Sequence, residues 1–192
     1  MGARAEAAQR TIESIHAAAV DLFRSRPFAD VTLQAVAEAS GVTLQTILRR
    51  FGSKENLFMS AAKAHAESVV RSRAVDAGAD VGSIVETLVA SYEEMGDLGW
   101  RGVSQEDQFP LIKQLLDDAR ARHRQWVETC FADAIVRTRG QERERRVLLL
   151  FAATDFYIWK LYRRDLGLSR RLATARMIDL VNAVVYDFGG QR

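Results

Sequence analysis

Residues 28–58 read FADVTLQAVAEASGVTLQTILRRFGSKENLF, and the interpretation of the whole chain starts from this stretch. Two short apolar segments flank the turn Ser40-Gly41, and each begins at a threonine, Thr32 or Thr43, that can cap a helix. Glycine at the turn permits a backbone conformation that other residues rarely adopt. The spacing therefore predicts a helix-turn-helix motif, which presents the N-terminal part of its second helix to the major groove of DNA.

Small and apolar residues stand where the two helices of such a motif must pack together. Val36 and Ala37 precede the turn, and Val42 and Ile47 follow it. This pattern is needed because the two helices cross at a steep angle and make close contact. The side chains then left to reach base edges and phosphates are Gln45, Thr46 and Arg49 or Arg50.

The rest of the sequence predicts helices throughout. It holds only two prolines, and its apolar residues recur at steps of three and four. Glycines in residues 96–103 predict a loop, and Ser104-Gln105-Glu106-Asp107 resembles a capping box that would open the next helix, with Pro110 in its first turn. We expect an all-α fold with about nine helices, including long ones over residues 4–26, 54–75, 113–139 and 147–162.

Composition argues against metal, cofactor and catalytic chemistry. Cys130 is the single cysteine, and His16, His65 and His123 lack the close spacing of metal ligands. No nucleophile has an evident base beside it in the sequence. We therefore expect no metal, no cofactor and no enzyme activity, and we interpret Cys130 as a small buried apolar residue.

Charge and hydropathy indicate where the protein works. The formal net charge is +2, so any DNA-binding surface must be local. The start, MGARAEAAQR, lacks the apolar core of a signal peptide. The most apolar stretch, residues 147–162, is shorter than the roughly 20 residues of a membrane helix and contains Asp155 and Lys160. We expect a cytoplasmic protein that does not enter the membrane.

Residues 28–58 resemble the DNA-binding signature of the TetR (tetracycline-repressor) family, including the Gly-Val-Thr turn and the exit Phe-Gly-Ser-Lys-Glu-x-Leu. The resemblance implies a helix-turn-helix DNA-binding domain of three helices, here residues 1–53. It further implies a helical domain for ligand binding and dimerisation, here residues 54–192. Members of the family usually act as repressors, so a homodimer on a palindromic double-stranded operator, released by a small-molecule effector, is the expected function.

By the same resemblance, Thr32 and Thr43 would bond phosphates, Lys54 would touch the DNA backbone, and Leu44, Gln45 and Thr46 would face the groove. Two positions depart from the family pattern: Gln45 replaces a small residue, often glycine, and Leu48 replaces an aromatic residue, usually tyrosine, that contacts phosphate. An amide at position 45 can pair with adenine. The full set of expected DNA-binding residues is Thr32, Thr43, Leu44, Gln45, Thr46, Arg49, Arg50 and Lys54.

The last two helices are expected to form the dimer interface. Thirteen of the sixteen residues from Val147 to Tyr162 are apolar, so that helix must be covered on both faces. The segment DFYIWKLYRRDLGLS, residues 155–169, also resembles the dimerisation region of actinobacterial members of the family. The expected interface residues are Phe151, Phe156, Trp159, Met177, Val181, Val184 and Val185.

An effector pocket would be apolar and aromatic with few polar groups. The candidates are Tyr92, Met95, Trp100, Phe109, Trp126, Phe131 and Asp155. A carboxylate in so apolar a helix must be paired, so Asp155 either anchors a ligand or bonds across the dimer. A DNA-bound adaptor with a protein partner is the alternative function, and an all-helical enzyme is the least favoured one.

Overall fold

The computed structural model describes residues 2–190, so the outer ends of the two expected domains, residues 1 and 191–192, lie outside it. Every regular element in the described part is helical, as the sequence predicts. No helix within residues 2–190 is long and apolar enough to cross a membrane. The α-helices are α1 (Ala3–Ser25), α2 (Leu33–Ser40), α3 (Leu44–Phe51), α4 (Lys54–Ser72), α5 (Val81–Ser104), α6 (Pro110–Cys130), α7 (Ala132–Ile135), α8 (Gly140–Ala153), α9 (Phe156–Lys160) and α10 (Arg170–Gly190).

These elements divide into two compact units. The first unit is the chain up to Val70 together with Met95–Asp117, and the second is Arg71–Glu94 together with the chain from Asp118 onward. Helices α4, α5 and α6 therefore contribute residues to both units. The expected boundary at residue 53 separates a DNA-binding domain from a ligand-binding and dimerisation domain. This functional division stays a prediction.

An aromatic cluster forms the centre of the first unit. The Phe28 ring lies 5.6 Å from Phe23, 5.0 Å from Phe58 and 5.2 Å from Phe109, measured between ring centroids. The Phe23 pair is stacked and the other two are edge-to-face, and pairs of both kinds add to the free energy gained by burial. Because Phe28 follows α1 and Phe58 belongs to α4, the cluster holds the beginning of α4 against the end of α1.

Helix α5 continues through the segment predicted to be a loop. Gly96 bends it, with φ 30° and ψ −109°, and the helix resumes until Ser104. The loop prediction for residues 96–103 is therefore wrong. A positive φ is readily adopted by glycine, so the helix breaks and changes direction at this one residue and resumes beyond it. Leu98 then packs against the core of the first unit.

The segment Ser104 to Asp107 closes α5 instead of opening α6, so the predicted capping box is also wrong. The Ser104 hydroxyl donates to the Arg101 carbonyl, and the predicted position of Pro110 in the first turn of α6 is confirmed. Gln105 points inward. Its Oε1 accepts the Phe28 backbone N–H at 2.9 Å, and its Nε2 donates to the Arg101 carbonyl at 3.0 Å. A distant backbone group thus decides the conformation of this turn.

Two helices predicted to be continuous are broken in the second unit. The helix predicted over 113–139 ends at Cys130, and α7 follows as a single turn. The helix predicted over 147–162 is interrupted at Thr154 and Asp155. Short polar side chains compete for backbone hydrogen bonds and favour such breaks. Asp155 accordingly caps α9, accepting the Tyr157 N–H at 2.8 Å, and does not lie within an apolar helix as the sequence analysis assumed.

We predict that Gln105→Ala destabilises the protein, because it leaves the buried Phe28 N–H without a partner. A lost hydrogen bond of this kind costs about 1–3 kcal/mol of unfolding free energy. Urea unfolding at neutral pH measures the difference. Gln108→Ala, an exposed residue of the same turn, is the matched control, and equal loss in both variants would contradict the assigned role of Gln105.

Candidate nucleic-acid and ligand sites

The turn between α2 and α3 is set by Gly41. This residue has φ 70°, and its N–H donates to the Glu38 carbonyl at 3.3 Å. The next N–H, of Val42, donates to the Ala37 carbonyl at 3.0 Å. This pair of bonds is the Schellman arrangement that ends many helices at a left-handed glycine. It confirms the predicted turn and gives α3 its direction.

Helix α3 has a buried face and an exposed face. Ile47 is fully buried, and Leu44 and Phe51 pack partly buried against the same core. The opposite face exposes Gln45, Leu48 and Arg49 at helical spacing. No acidic residue lies within α3. The outer face is therefore a local surface with an amide, an apolar side chain and a cation.

Leu48 lies on the exposed face of α3, at the position where the family pattern has a phosphate-contacting aromatic residue. It is 43% exposed. Successive helical residues point about 100° apart, so Ile47 and Leu48 cannot both face the core. Ile47 takes the inner position, which leaves Leu48 on the surface beside Gln45.

Both predicted threonine caps are confirmed. The Thr32 hydroxyl accepts the Ala35 N–H at 3.1 Å, and the Thr43 hydroxyl accepts the Thr46 N–H at 3.2 Å. The Thr43 and Thr46 hydroxyls also lie 2.9 Å apart. Both caps are exposed at helix N-termini, where positive partial charge favours an anion such as phosphate.

Lys54 and Arg50 differ in what they contact. The Lys54 ammonium donates to the Phe28 carbonyl at 2.9 Å and to the Ala29 carbonyl at 3.4 Å, and it lies 4.3 Å from the centroid of the Phe28 ring. Lys54 therefore stabilises the turn before α2.

Arg50 is exposed at the end of α3. Burial, and then the charge of Arg50, lowers the pKa of His16.

A buried polar cluster lies inside the second unit, centred on Thr154. The Tyr92 hydroxyl donates to the Thr154 carbonyl at 2.8 Å, and His123 Nε2 lies 3.1 Å from the Thr154 hydroxyl. All three residues are buried. Helices α5 and α6 are thereby tied to the break between α8 and α9.

Arg73 joins this cluster directly after the last residue of α4. Its Nε donates to the Ser91 hydroxyl at 2.9 Å, and its guanidinium carbon lies 4.7 Å from the centroid of the Tyr92 ring. Its backbone carbonyl accepts the Trp126 indole N–H at 3.0 Å. The C-terminal end of α4 is thus attached to both α5 and α6.

Burial controls the protonation of the cluster. Desolvation, and then the charge of Arg73, lowers the pKa of His123 to about 3, while the Phe151 carbonyl acts in the opposite direction. Desolvation also raises the pKa of the Tyr92 hydroxyl and that of the Asp155 carboxyl. His123 and Tyr92 are therefore uncharged at neutral pH.

The expected effector residues divide between the two units. Met95, Trp100 and Phe109 belong to the first unit, where Phe109 is part of the aromatic cluster and Trp100 is exposed. The other four, Tyr92, Trp126, Phe131 and Asp155, belong to the second unit.

Sequence analysis did not find the polar members of the cluster in the second unit, which are Arg73, Ser91, His123 and Thr154. Helical spacing could have indicated His123, because this residue shares one face of α6 with Trp126, Val127 and Cys130. The burial of Val127 shows that this face points inward. Burial also raises the pKa of the Cys130 thiol to about 11.

The expected dimer residues lie at two depths in the second unit. Trp159, Met177 and Val181 are buried inside it, whereas Phe151, Phe156, Val184 and Val185 are half-buried. Several apolar side chains on the last helices are exposed, namely Leu148, Leu149, Tyr157, Leu161, Leu172 and Tyr186. The exposed residues were absent from the sequence-based set because a stripe of helical spacing does not indicate which side faces the chain's own core.

We predict that His123 makes the protein acid-sensitive. Its pKa is depressed on folding, so the neutral imidazole carries no protonation penalty well above pH 6.5, and the protein loses stability as the pH falls through 6.5 towards about 3. Between pH 6.5 and 5 the loss should be about 2 kcal/mol of unfolding free energy. Urea unfolding across this range should give a shallower pH dependence for His123→Phe. Parallel curves for the two proteins would rule out this role.

Comparison with known families finds a match within the first unit. The family model described as bacterial regulatory proteins, tetR family, matches residues 15–61, which contain most of α1, all of α2 and α3, and the beginning of α4. The match therefore covers the turn at Gly41 and the exposed face of α3. No curated protein matches the chain.

Solved structures share the fold over nearly the whole length. A transcriptional regulator from Rhodococcus sp. Rha1 has a TM-score of 0.72 at 14% identity, with 92% of this chain and 96% of that chain covered. A tetR-family regulator from Streptomyces coelicolor has a TM-score of 0.67 at 15% identity, covering 100% and 91%. The flavonoid-responsive regulator FrrA has a TM-score of 0.61 at 20% identity, covering 94% and 95%. Residues 15–61 thus match the tetR family of bacterial regulatory proteins, and the chain as a whole shares the helical fold of these solved regulators.

Proposed function

We propose that the protein is a ligand-responsive transcriptional repressor that binds a palindromic operator as a homodimer and is released by a small-molecule effector. The observation that carries this proposal is the outer face of α3, where Gln45, Leu48 and Arg49 are exposed on a helix anchored by the buried Ile47. A rigidly held, exposed helix of this kind fits the major groove. Such a repressor would act in the cytoplasm, where bacterial DNA lies.

The side chains of α3 would contact different parts of the DNA according to their chemistry. Gln45 pairs with adenine through its amide, and Leu48 makes an apolar contact, for which the methyl group of thymine is suited. Arg49 and Arg50 contact phosphates, as do the capped helix ends at Thr32 and Thr43. Thr46 contributes its hydroxyl at the same helix end.

Leu44 and Lys54 contribute to DNA binding through position. Leu44 packs partly buried against the core and so orients the first turn of α3. Lys54 is engaged by the carbonyl groups of Phe28 and Ala29, and it adds positive charge near the DNA backbone while holding that turn. Its loss should therefore affect both stability and affinity.

Dimerisation through the last helices would place two α3 helices on successive major grooves, about 34 Å apart. The exposed apolar residues of α8, α9 and α10 supply an apolar surface for a second copy. Phe156, Val184 and Val185 are half-buried on the same helices, and we assign them to this interface together with the buried Trp159, Met177 and Val181.

The effector would act through α4. This helix begins at Lys54, three residues after α3, and ends next to Arg73, which is bonded inside the second unit. A ligand bound near Tyr92 and Trp126 that prefers one position of Arg73 would shift α4 and change the spacing of the two α3 helices. A relative with this fold is a flavonoid-responsive regulator, which is consistent with an aromatic effector.

The experiment that tests the proposal is a selection of DNA from a random-sequence pool with the full chain at a fixed salt concentration, since affinity for DNA depends strongly on salt. Two inverted half-sites in the enriched sequences are the expected result. Enrichment of no sequence would overturn the regulator function and favour an adaptor that depends on a protein partner.

We predict that Gln45→Ala relaxes sequence preference without weakening non-specific binding. The preference lost at one base pair should be about 1–3 kcal/mol. Arg49→Ala should instead weaken binding to all sequences. It should also reduce the slope of log K against log salt concentration by about one, because one counterion fewer is released. Fluorescence anisotropy at several salt concentrations measures both effects. Gln9→Ala, exposed on α1, is the control, and an unchanged preferred site for Gln45→Ala would exclude base reading by this residue.

We predict that Tyr157→Glu splits the dimer. Tyr157 is 49% exposed on α9, and a buried, unpaired carboxylate at an interface is strongly unfavourable. Sedimentation velocity should show a monomer, and operator affinity should fall because a single half-site makes too few contacts. Val136→Glu, at a residue 69% exposed outside the last three helices, should leave the dimer intact. A dimeric Tyr157→Glu would exclude this face as the interface.

A further inference from the structure

One buried nitrogen in the second unit has no partner. His123 is 7% exposed, and its Nδ1 is buried without a hydrogen bond from any residue that the structure describes. Buried polar atoms in folded proteins are nearly always hydrogen-bonded. An exception inside the expected sensor unit therefore requires a physical reason.

The neighbouring threonine determines which nitrogen of the ring carries hydrogen. The Thr154 hydroxyl donates to the Leu150 carbonyl at 2.7 Å. A hydroxyl has one hydrogen, so towards His123 Nε2, at 3.1 Å, Thr154 can only accept. Nε2 must then carry the proton. Nδ1 is left as a bare lone pair, which is an acceptor without a donor.

Protonation does not relieve this acceptor at neutral pH. Burial, followed by the charge of Arg73, holds the pKa of His123 at about 3. The imidazole therefore stays neutral, and Nδ1 needs an O–H or N–H group from outside the protein.

The surroundings of the imidazole are aromatic. The Trp126 ring lies nearly parallel to it, with centroids 5.5 Å apart and planes at 16°. The Phe151 ring meets it at 64° with centroids 5.0 Å apart. Flat aromatic groups pack well against such rings. A donor group carried on an aromatic ring therefore fits this environment better than one on a flexible polar chain.

A buried positive charge accompanies the unpaired acceptor. Arg73 is 9% exposed, and its guanidinium contacts the Ser91 hydroxyl and the face of the Tyr92 ring. Among residues 2–190 no carboxylate forms an ion pair with its guanidinium. A buried guanidinium without a counter-charge favours an anion, and its geometry matches a carboxylate.

We propose that the second unit binds a hydroxylated aromatic carboxylate, whose hydroxyl donates to His123 Nδ1 and whose carboxylate pairs with Arg73. This ligand is the effector of the proposed function, on which the inference rests. One oxygen of Asp155, Oδ1, is engaged in capping α9. Tyr92 forms a wall of the site, because its hydroxyl is committed to the Thr154 carbonyl.

The test is isothermal titration calorimetry on the full chain with three naphthalene probes. The first is 6-hydroxy-2-naphthoate, the second is 6-methoxy-2-naphthoate, which lacks the donor, and the third is 2-naphthol, which lacks the carboxylate. An unsatisfied buried acceptor weakens binding by about tenfold. The hydroxynaphthoate should therefore bind about tenfold more tightly than either of the other probes.

Two variants assign the effects to their residues. His123→Phe keeps an aromatic ring and removes the acceptor, so it should bind the hydroxy and methoxy compounds equally. Without ligand at neutral pH it should melt at or above the wild-type temperature, because an unsatisfied buried atom is gone. Arg73→Gln should lose the preference for 6-hydroxy-2-naphthoate over 2-naphthol. Arg71→Gln, exposed two residues earlier, should retain it.

Three outcomes would overturn the proposal. They are equal binding of the hydroxy and methoxy probes by the wild type, no binding of either naphthoate at about 1 mM, and discrimination that survives in His123→Phe. A lower melting temperature of His123→Phe would also oppose it, since that result indicates an internal water on Nδ1. If the protein selects a palindrome but does not discriminate between the hydroxy and methoxy probes, the regulator function is supported and only the proposed ligand class is wrong. Discrimination between the probes without enrichment of any DNA sequence would support the ligand class and overturn the regulator function.

Discussion

Phe28 is the residue on which the first unit depends. Its N–H is held by Gln105, its carbonyl by Lys54, and its ring packs against Phe23, Phe58 and Phe109. A single residue between α1 and α2 thereby connects α1, the start of α4 and the turn before α6. Buried backbone groups must be paired, so these distant segments cannot separate without leaving a buried donor or acceptor unsatisfied. The orientation of α3 follows, because its ends join α2 and α4.

The second unit is organised differently, around polar groups that are only partly satisfied. Thr154 interrupts the apolar helix and uses its hydroxyl hydrogen on the Leu150 carbonyl, which leaves His123 with one nitrogen unpaired. A fully apolar packing of the same residues would be more stable. Proteins retain unsatisfied groups and unpaired charges mainly at functional sites, and here both belong to one cluster. The helix that leaves the helix-turn-helix motif ends next to Arg73, which carries the unpaired charge.

Local sequence signals predicted the parts of the fold that depend on neighbouring residues. Thr32 and Thr43 cap helices, Gly41 turns left-handed, and Pro110 opens α6, because each effect requires only the adjacent backbone. The same reasoning failed at Gly96 and at Ser104 to Asp107. There the conformation depends on packing of Leu98 against the core and on the Phe28 N–H, which lies 77 residues from Gln105.

The sequence by itself determined the fold class, the helix-turn-helix and the family resemblance, because helical periodicity, caps and turns are local properties of the chain. Tertiary structure alone decided which of two adjacent apolar residues, Ile47 or Leu48, is exposed on the surface of α3. It also decided that His123, whose partner Thr154 lies 31 residues away in the chain, keeps a bare nitrogen. These outcomes depend on which side chains are buried and which buried polar groups find partners, and both are set by segments that are far apart in the chain.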